Sequence, residues 1–151
     1  MSHVSFDSPV GALTLWSANG AITRLDWGRS ADTAPARELD DARRQLADYF
    51  AGRRTAFDLP LAPGGSDFQQ GFYAALCAIP YGETREYGDL ARDLGVSAQA
   101  IGQACGANPI PILIPCHRVL AATGLGGYSG AGGIETKVAL LKLEGAASLL
   151  L

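Results

Sequence analysis

The sequence has few of the residues from which disulfide frameworks and metal sites are built. Its 151 residues include three cysteines and two histidines. The cysteines Cys77, Cys105 and Cys116 form no CxxC pair, and their odd number argues against a disulfide framework. Structural zinc sites need closely spaced Cys or His ligands, which are absent here. The sequence therefore predicts three reduced cysteines and no bound metal.

Long apolar runs are also missing. The first residues include Asp7 and Pro9 and lack a basic region followed by a continuous apolar stretch, so we expect neither a signal peptide nor a membrane-spanning segment. Apolar residues make up 48% of the chain and charged residues 18%, which is typical of a folded globular protein. We expect a cytoplasmic monomer with no membrane partner.

The amino-terminal part of the chain has the pattern of a small antiparallel sheet. Short apolar stretches at 4–6, 13–17 and 22–27 are separated by turn residues at Ser8-Pro9 and Asn19-Gly20. Apolar residues then recur at helical spacing over 38–50, and Gly52 follows as a stop signal. We expect this helix to pack on the sheet.

The segment 53–66 is rich in proline and glycine and has the composition of a linker. It divides the chain into a first domain at 1–62 and a second at 66–151. Helices are predicted in the second domain at about 66–79, 87–94, 97–107 and 134–144, with Ser66 or Asp67 capping the first and Ser97 the third. Only Gly95 and Val96 lie between the helices predicted at 87–94 and 97–107, so the pattern indicates a helix-turn-helix.

The predicted fold class is therefore α+β. A small amino-terminal antiparallel sheet with a packed helix is followed by a mostly helical carboxy-terminal domain that contains a helix-turn-helix of the winged-helix kind.

A cysteine and a histidine are adjacent in the run Ile114-Pro115-Cys116-His117-Arg118-Val119. A thiol is a strong nucleophile only as thiolate, and a nearby imidazole can accept its proton. Free cysteines are more often inert core residues, but the flanking residues favour a site. The apolar, proline-rich stretch before Cys116 predicts a buried extended segment or turn. The glycine-rich stretch 123–133 allows close approach of the backbone to a ligand.

Several motifs together resemble those of the O6-alkylguanine-DNA alkyltransferases, also called methylated-DNA-protein-cysteine methyltransferases. They lie at 7–15, 79–84, 87–91, 108–109, 111–119, 128–130 and 143–145, so the resemblance covers nearly the whole chain. It implies that the domain at 1–62 is a ribonuclease-H-like scaffold. It also implies that the domain at 66–151 binds DNA and carries out alkyl transfer.

The reaction implied by this resemblance moves an alkyl group from O6 of guanine, and from O4 of thymine, to Cys116. A thioether has no ordinary route back to a thiolate, so each molecule reacts once, and no cofactor is needed. His117 would accept the thiol proton, through a water molecule in the family, and Glu144 would orient the imidazole. The Tyr87 hydroxyl would donate to the leaving guanine. Asn108 would tie the loop that precedes the nucleophile.

The implied partner is double-stranded DNA carrying an alkylated guanine, which must be flipped out of the helix to reach the thiol. Contacts to the base are implied for Val119, Tyr128, Ser129 and Gly130. Contacts to DNA are implied for the helix that would enter the minor groove, at Ser97, Ala98, Gln99, Ala100 and Gly102.

One position departs from the family pattern. Gln99 occupies the place of an arginine that fills the gap left by the flipped base, and a glutamine is uncharged and shorter. The stretch 97–107 has no basic residue, and the chain carries a net charge of -3. Phosphate binding depends on clustered Lys and Arg. A local cluster of Arg85, Arg92, Arg118 and Lys137 is the candidate, and the strength of duplex binding is left open.

Four functions remain open at this point. The first is a single-turnover DNA alkyltransferase. The second is a non-enzymatic lesion binder of the alkyltransferase-like kind, although those proteins replace the cysteine that is present here as Cys116. The third is an alkyltransferase with weakened duplex binding because of Gln99, acting on single strands or free bases. A generic cysteine hydrolase ranks last, because no oxyanion hole is indicated.

Three neighbouring residues receive structural predictions. Arg118 is expected to bind carbonyl groups or a carboxylate rather than the substrate. Cys77, in an apolar stretch, is expected in the core. Cys105, within the predicted recognition helix, is expected to face the interior rather than the DNA groove.

Overall fold

The structure, a computed structural model, describes residues 1–31 and 36–146. It divides into two units, Met1–Gly64 and Gly65–Leu151. A three-stranded antiparallel sheet with one helix forms the first unit, and the second is mostly helical. The predicted α+β class is confirmed. The last five residues of the predicted second domain, 147–151, lie outside the described residues. Within the described part of the chain, no helix is long and apolar enough to cross a membrane.

The sheet of the first unit consists of β1 (Ser2–Ser8), β2 (Gly11–Ala18) and β3 (Ala21–Trp27), in that order. Five of the six strand ends extend one or two residues beyond the predicted bounds, because pairing continues as far as the turns allow. The second hairpin turn consists of Asn19 and Gly20, both with positive φ. This is the pair of residues that a two-residue hairpin turn of type I′ requires.

Helix α1 (Arg37–Phe50) covers the sheet and contacts all three strands. Its buried apolar residues recur at intervals of three and four and are Leu39, Ala42, Leu46 and Tyr49. They meet the buried face of the sheet, which includes Leu13, Leu15 and Leu25. Burial of this apolar stripe is what holds the helix on the sheet.

The segment predicted as a linker, 53–66, is largely built into the first unit. The backbone on either side of Leu61 forms two hydrogen bonds of 2.8 Å with Ile22, so the segment pairs with β3 in parallel. The Gln45 side chain also binds the backbone N–H and C=O of Asp58. The composition that predicted a link to the second unit does not report such tertiary pairing.

The described part of the second unit has four α-helices, namely α2 (Asp67–Cys77), α3 (Tyr87–Leu94), α4 (Ala98–Gly106) and α5 (Ile134–Leu143). Ser66 caps α2, and Ser97 caps α4 through its hydroxyl. Helix α3 ends at Leu94 and is followed by Gly95, whose φ of 69° is left-handed. Helices α3 and α4 contact each other across this short turn as a helix-turn-helix.

A second, two-stranded sheet was not predicted. Strand β4 (Arg85–Glu86) pairs in parallel with β5 (Val119–Leu120). Strands of two residues are too short for an alternating pattern to be visible in the sequence. The pairing brings the start of α3, at Tyr87, beside the segment that follows the cysteine motif.

The prediction that Cys77 is a core residue was wrong. It is the last residue of α2 and is exposed. The buried side of this helix is formed by Phe72, Tyr73 and Leu76. An apolar stretch alone does not tell which of its residues face the core, because the helix turns the final residue outward.

The contrasting roles of two glycines generate a prediction. We expect Gly95→Ala to lower the free energy of unfolding by about 1–2 kcal/mol, because a Cβ is unfavourable in the left-handed region. Gly102→Ala is the matched control. Gly102 lies within α4, where an added Cβ meets no atom within 4 Å, and alanine there raises helix stability by up to about 1 kcal/mol. Urea denaturation of both variants checks this, and equal midpoints would contradict it.

Candidate active site

Cys116 begins a single turn of 3₁₀-helix, Cys116–Arg118, and its side chain is 4% exposed. The turn before it places Ile112 at a φ of 73°, which is unfavourable for a β-branched residue. Ile112 is buried together with its neighbours Leu113 and Ile114. The packing of these side chains holds the strained backbone in place. Of the two predicted settings for the cysteine, the structure shows the buried turn.

Asn108 fixes the backbone ahead of the cysteine. Its Nδ2 donates to the carbonyl of Ile114 at 2.9 Å, and its Oδ1 accepts from the N–H of Ile110 at 3.0 Å. Burial raises the pKa of the Cys116 thiol, while a hydrogen bond from Asn108 and the charge of Lys137 lower it by less. The resting thiol is therefore protonated, and it needs a base to become nucleophilic.

A histidine with a defined tautomer lies next to the cysteine. His117 is completely buried, and its Nε2 lies 2.8 Å from Oε2 of Glu144. Because a carboxylate only accepts, Nε2 carries the ring proton and Nδ1 keeps its lone pair. Burial lowers the pKa of His117 below 6.5, against the opposing effect of Glu144. Nδ1 has no hydrogen-bond partner within the described residues, so a neutral base is available.

Arg118 holds Glu144 in position. Its Nε donates to Oε1 at 2.8 Å and its Nη2 to Oε2 at 3.0 Å. Its Nη1 donates to the carbonyl of Ile79 at 2.7 Å. Two parallel contacts between a guanidinium and a carboxylate fix the plane of the carboxylate. The predicted structural role of Arg118 is confirmed.

A cavity of about 490 Å³ opens beside Cys116. It lies between the start of α3, helix α4 and the loop that follows β5. Its lining residues are Tyr87, Gly102, Cys105, Gly106, Cys116, Gly127, Tyr128 and Ser129. Two aromatic rings and several glycines leave room for a flat ring system, and the volume is within the range of small-ligand pockets. No group of three or more His, Cys, Asp or Glu side chains in the described part is placed to hold a metal ion.

The structure brings most of the predicted site residues together. Four of those predicted to react or to bind the base line the cavity, namely Tyr87, Cys116, Tyr128 and Ser129. His117, Glu144 and Asn108 contact the turn that carries Cys116 or lie within it. Val119 and Gly130 are buried in the adjoining segments but do not line the cavity.

The residues predicted to bind DNA lie along α4 and its cap. Ser97, Ala98, Gln99 and Gly102 are exposed, and Ala100 is half-buried. Gly102 also lines the cavity. The exposed side of this helix is therefore uncharged and made largely of small residues.

The predicted cluster of phosphate-binding cations was partly wrong. Arg118 is 7% exposed and Lys137 is completely buried, so neither reaches the surface. Arg85 and Arg92 remain accessible, and each forms an ion pair with an aspartate of α3.

Two residues of the site were missed by sequence reasoning. Cys105, expected inside, is half-buried and lines the cavity. Lys137, expected at the surface, is buried on α5. A signal for Lys137 was present, because it is spaced three, four and seven residues from Leu140, Leu141 and Glu144, which are all buried.

Comparison with known proteins gives two family matches that together span nearly the whole chain. The profile described as 6-O-methylguanine DNA methyltransferase, ribonuclease-like domain, matches residues 1–63. The profile described as 6-O-methylguanine DNA methyltransferase, DNA binding domain, matches residues 67–146.

Individual proteins agree with these matches. A methylated-DNA-protein-cysteine methyltransferase of Mycobacterium bovis is 45% identical over 150 residues, covering 93% of this chain and 90% of the relative. One of Methanosarcina acetivorans is 40% identical over 156 residues, covering 96% and 99%. The crystal structure of Mycobacterium tuberculosis OGT in complex with DNA matches with a TM-score of 0.83 at 44% identity, covering 94% of this chain and 92% of that one. The chain therefore belongs to the 6-O-methylguanine DNA methyltransferase family.

Proposed function

We propose that this protein repairs double-stranded DNA by transferring an alkyl group from O6 of guanine, and from O4 of thymine, irreversibly to Sγ of Cys116. The observation that carries the proposal is that the side chains of Cys116, His117 and Glu144 are buried next to one another, beside a cavity of about 490 Å³. The protein would act as a monomer without a cofactor. A cytoplasmic location is part of the proposal, because the cytoplasm keeps thiols reduced.

The first step is removal of the thiol proton. Nδ1 of His117 has the free lone pair, and it takes the proton from Cys116 through a water molecule. Glu144 accepts a hydrogen bond from Nε2 and stabilises the imidazolium that results. Arg118 supports this step by keeping the carboxylate in the plane that the imidazole requires.

In the second step the thiolate attacks the alkyl carbon in line with the bond to O6. A carbon–sulfur bond forms, the carbon–oxygen bond breaks, and its electron pair passes to guanine. The Tyr87 hydroxyl donates a proton to the leaving base. The proton that His117 took from the thiol is then available to reprotonate Tyr87, so no net proton is lost. Burial raises the pKa of Tyr87, which keeps the hydroxyl protonated and able to donate.

The remaining site residues hold the flipped base. The carbonyls of Val119 and Cys116 would accept from its amino group, and the backbone around Ser129 and Gly130 would donate to O6. The ring of Tyr128 would form one wall. Support for this placement comes from Tyr128 and Ser129, which line the cavity that Cys116 also lines.

The same proposal assigns a role to each part of the chain. The domain at 66–151 would bind DNA through Ser97, Ala98, Gln99, Ala100 and Gly102 and carry out the transfer, whereas the ribonuclease-H-like domain at 1–62 would serve as scaffold. A non-enzymatic lesion binder is disfavoured, because a nucleophile with its own buried base has no use in such a protein. Weakened duplex binding, suggested by Gln99, is tested with the variant Gln99→Arg.

The nucleophile is tested with a duplex that carries one O6-methylguanine. We expect intact and peptide mass spectrometry to show a stoichiometric gain of one methylene group on the Cys116 peptide. Cys116→Ser should abolish the gain and leave the fold unchanged, because a hydroxyl is a far weaker nucleophile. Cys77→Ser is the matched control, since Cys77 is exposed and outside the cavity. Full transfer by Cys116→Ser would overturn the assignment.

The pH dependence of transfer tests the base. The pKa of His117 is lowered from 6.5 by burial, so the imidazole stays neutral until the pH falls below that value. We expect the single-turnover rate at saturating duplex to be flat near neutrality and to fall only below pH 6.5. His3→Gln should leave the profile unchanged, whereas His117→Gln should remove the acid limb together with most of the rate. An acid limb above pH 6.5 would contradict the assignment.

The position of Gln99 is tested by Gln99→Arg. We expect tighter duplex binding and faster repair, because arginine adds charge and reach at the base-flipping position. Gln103→Arg, one turn away on the exposed side of α4, is the control for charge alone and should tighten binding without faster repair. Equal rates for Gln99→Arg and the unmodified protein would mean that residue 99 does not face the gap.

A further inference from the structure

The proposed mechanism leaves a buried charge without a role. Lys137 is completely buried on α5, and its Nζ donates to three backbone carbonyls. We propose that Lys137 is a positioning residue for alkyl transfer, which ties together two segments of the cavity wall and places a positive charge where it favours the thiolate of Cys116. This inference rests on the proposed function of Cys116.

The geometry shows that Lys137 is charged. Its Nζ lies 2.7 Å from the carbonyl oxygen of Val119, 2.6 Å from that of Leu125 and 3.0 Å from that of Gly127. A carbonyl only accepts, so three such contacts need three N–H donors. An ammonium has three and a neutral amine has two. Lys137 is therefore protonated, although burial lowers its pKa.

The three acceptors belong to different segments of the site. Val119 is in β5, directly after the 3₁₀ turn of the nucleophile. Leu125 and Gly127 are in the loop 125–129, which has no regular secondary structure. Gly127 lines the cavity and precedes Tyr128 and Ser129, which line it too. The ammonium of Lys137 thus connects two segments. One is the loop 125–129, which forms one wall of the cavity, and the other is β5, which follows the cysteine.

The charge of Lys137 also acts on the reacting groups. It lowers the pKa of Cys116 and of Cys105, in opposition to burial, which raises both. It lowers the pKa of His117 in the same direction as burial. A single cation therefore favours the thiolate and the neutral imidazole together, which are the two states that the proton transfer needs.

Other charged groups around this cation do not duplicate its effect. The Tyr87 ring lies 5.9 Å from Nζ and contributes a weak attraction. The charge of Arg118 is balanced by its two contacts with Glu144. Cys105 and Cys116 are protonated at rest and carry no charge until one is ionised. Among the described residues, Lys137 forms no ion pair with a carboxylate and donates only to backbone carbonyls. Its positive charge therefore acts on the Cys116 thiol.

Packing alone does not require a lysine at this position. Leu140 and Leu141 occupy the neighbouring positions on the same side of α5, and a methionine would fill a similar volume. Removing an ammonium from water costs free energy, and three hydrogen bonds to carbonyl groups offset only part of that cost. A role in the reaction accounts for this cost.

The test measures thiol reactivity without DNA. Iodoacetamide is reacted with each variant over a range of pH, and the carboxamidomethylated Cys116 peptide is quantified by mass spectrometry. The variants are Lys137→Met, Lys137→Gln and Lys137→Arg, and Lys142→Met is the matched control from the exposed side of the same helix. Thermal unfolding identifies the variants that remain folded. The glutamine variant keeps two donors, so it stays informative where methionine prevents folding.

We expect both neutral variants to raise the apparent pKa of Cys116 by about one unit, which slows its reaction near neutral pH about tenfold. Lys137→Arg and Lys142→Met should keep the original profile. Single-turnover transfer from a methylated duplex should fall in parallel for the neutral variants. A folded Lys137→Gln protein with an unchanged Cys116 profile would overturn the inference.

The test of Lys137 and the test of the proposed alkyl transfer can fail independently of each other. If the unmodified protein gains no methylene from methylated duplex, the alkyltransferase proposal fails, whatever iodoacetamide shows. If the gain occurs but the thiol profile of Lys137→Gln is unchanged, the proposal for Lys137 fails alone.

Discussion

The second unit depends on one buried carboxylate. Glu144 accepts hydrogen bonds from His117 and from two nitrogens of Arg118, and Arg118 also donates to the carbonyl of Ile79. The end of α5, the 3₁₀ turn and the segment after α2 are therefore held by the same group of contacts. A buried ion pair of this kind is worth little as a source of stability, but loss of one partner leaves an uncompensated charge. Its main effect is to define one geometry for the base.

Around this centre, burial and hydrogen bonding have opposite effects that together set the chemistry. Burial raises the pKa of Cys116 and lowers that of His117, so both groups are neutral at rest. Asn108 and Lys137 act against burial at the thiol, by a hydrogen bond and by charge. The thiol and the imidazole are thus both neutral before the reaction, and the cost of separating a proton from the thiol is reduced by groups that are already in place.

The sequence predicted those features that depend on neighbouring residues. Strands and helices were found because the turn Asn19-Gly20 and the caps Ser66 and Ser97 are local signals. The candidate nucleophile and base were recognised because Cys116 and His117 are adjacent, whereas Tyr87 and Glu144 were predicted only from the family resemblance. Features that depend on tertiary contacts were missed. The pairing of β4 with β5 is two residues long, and Cys77 is exposed although its neighbours are apolar. Lys137 was assigned to the phosphate-binding cluster because of its charge, whereas it is buried and donates to backbone carbonyls of the stretch 119–127.

Under the proposed function, the burial of Cys116 affects how long an unreacted copy of the protein lasts. A reagent that is consumed by its own reaction has to survive intact until damage occurs, in the presence of peroxides and small electrophiles that attack thiolates. A side chain that is 4% exposed and mostly protonated reacts slowly with such molecules. The burial that makes the thiol depend on a base therefore also protects it before it meets a substrate. Only a molecule that enters the cavity can react with it.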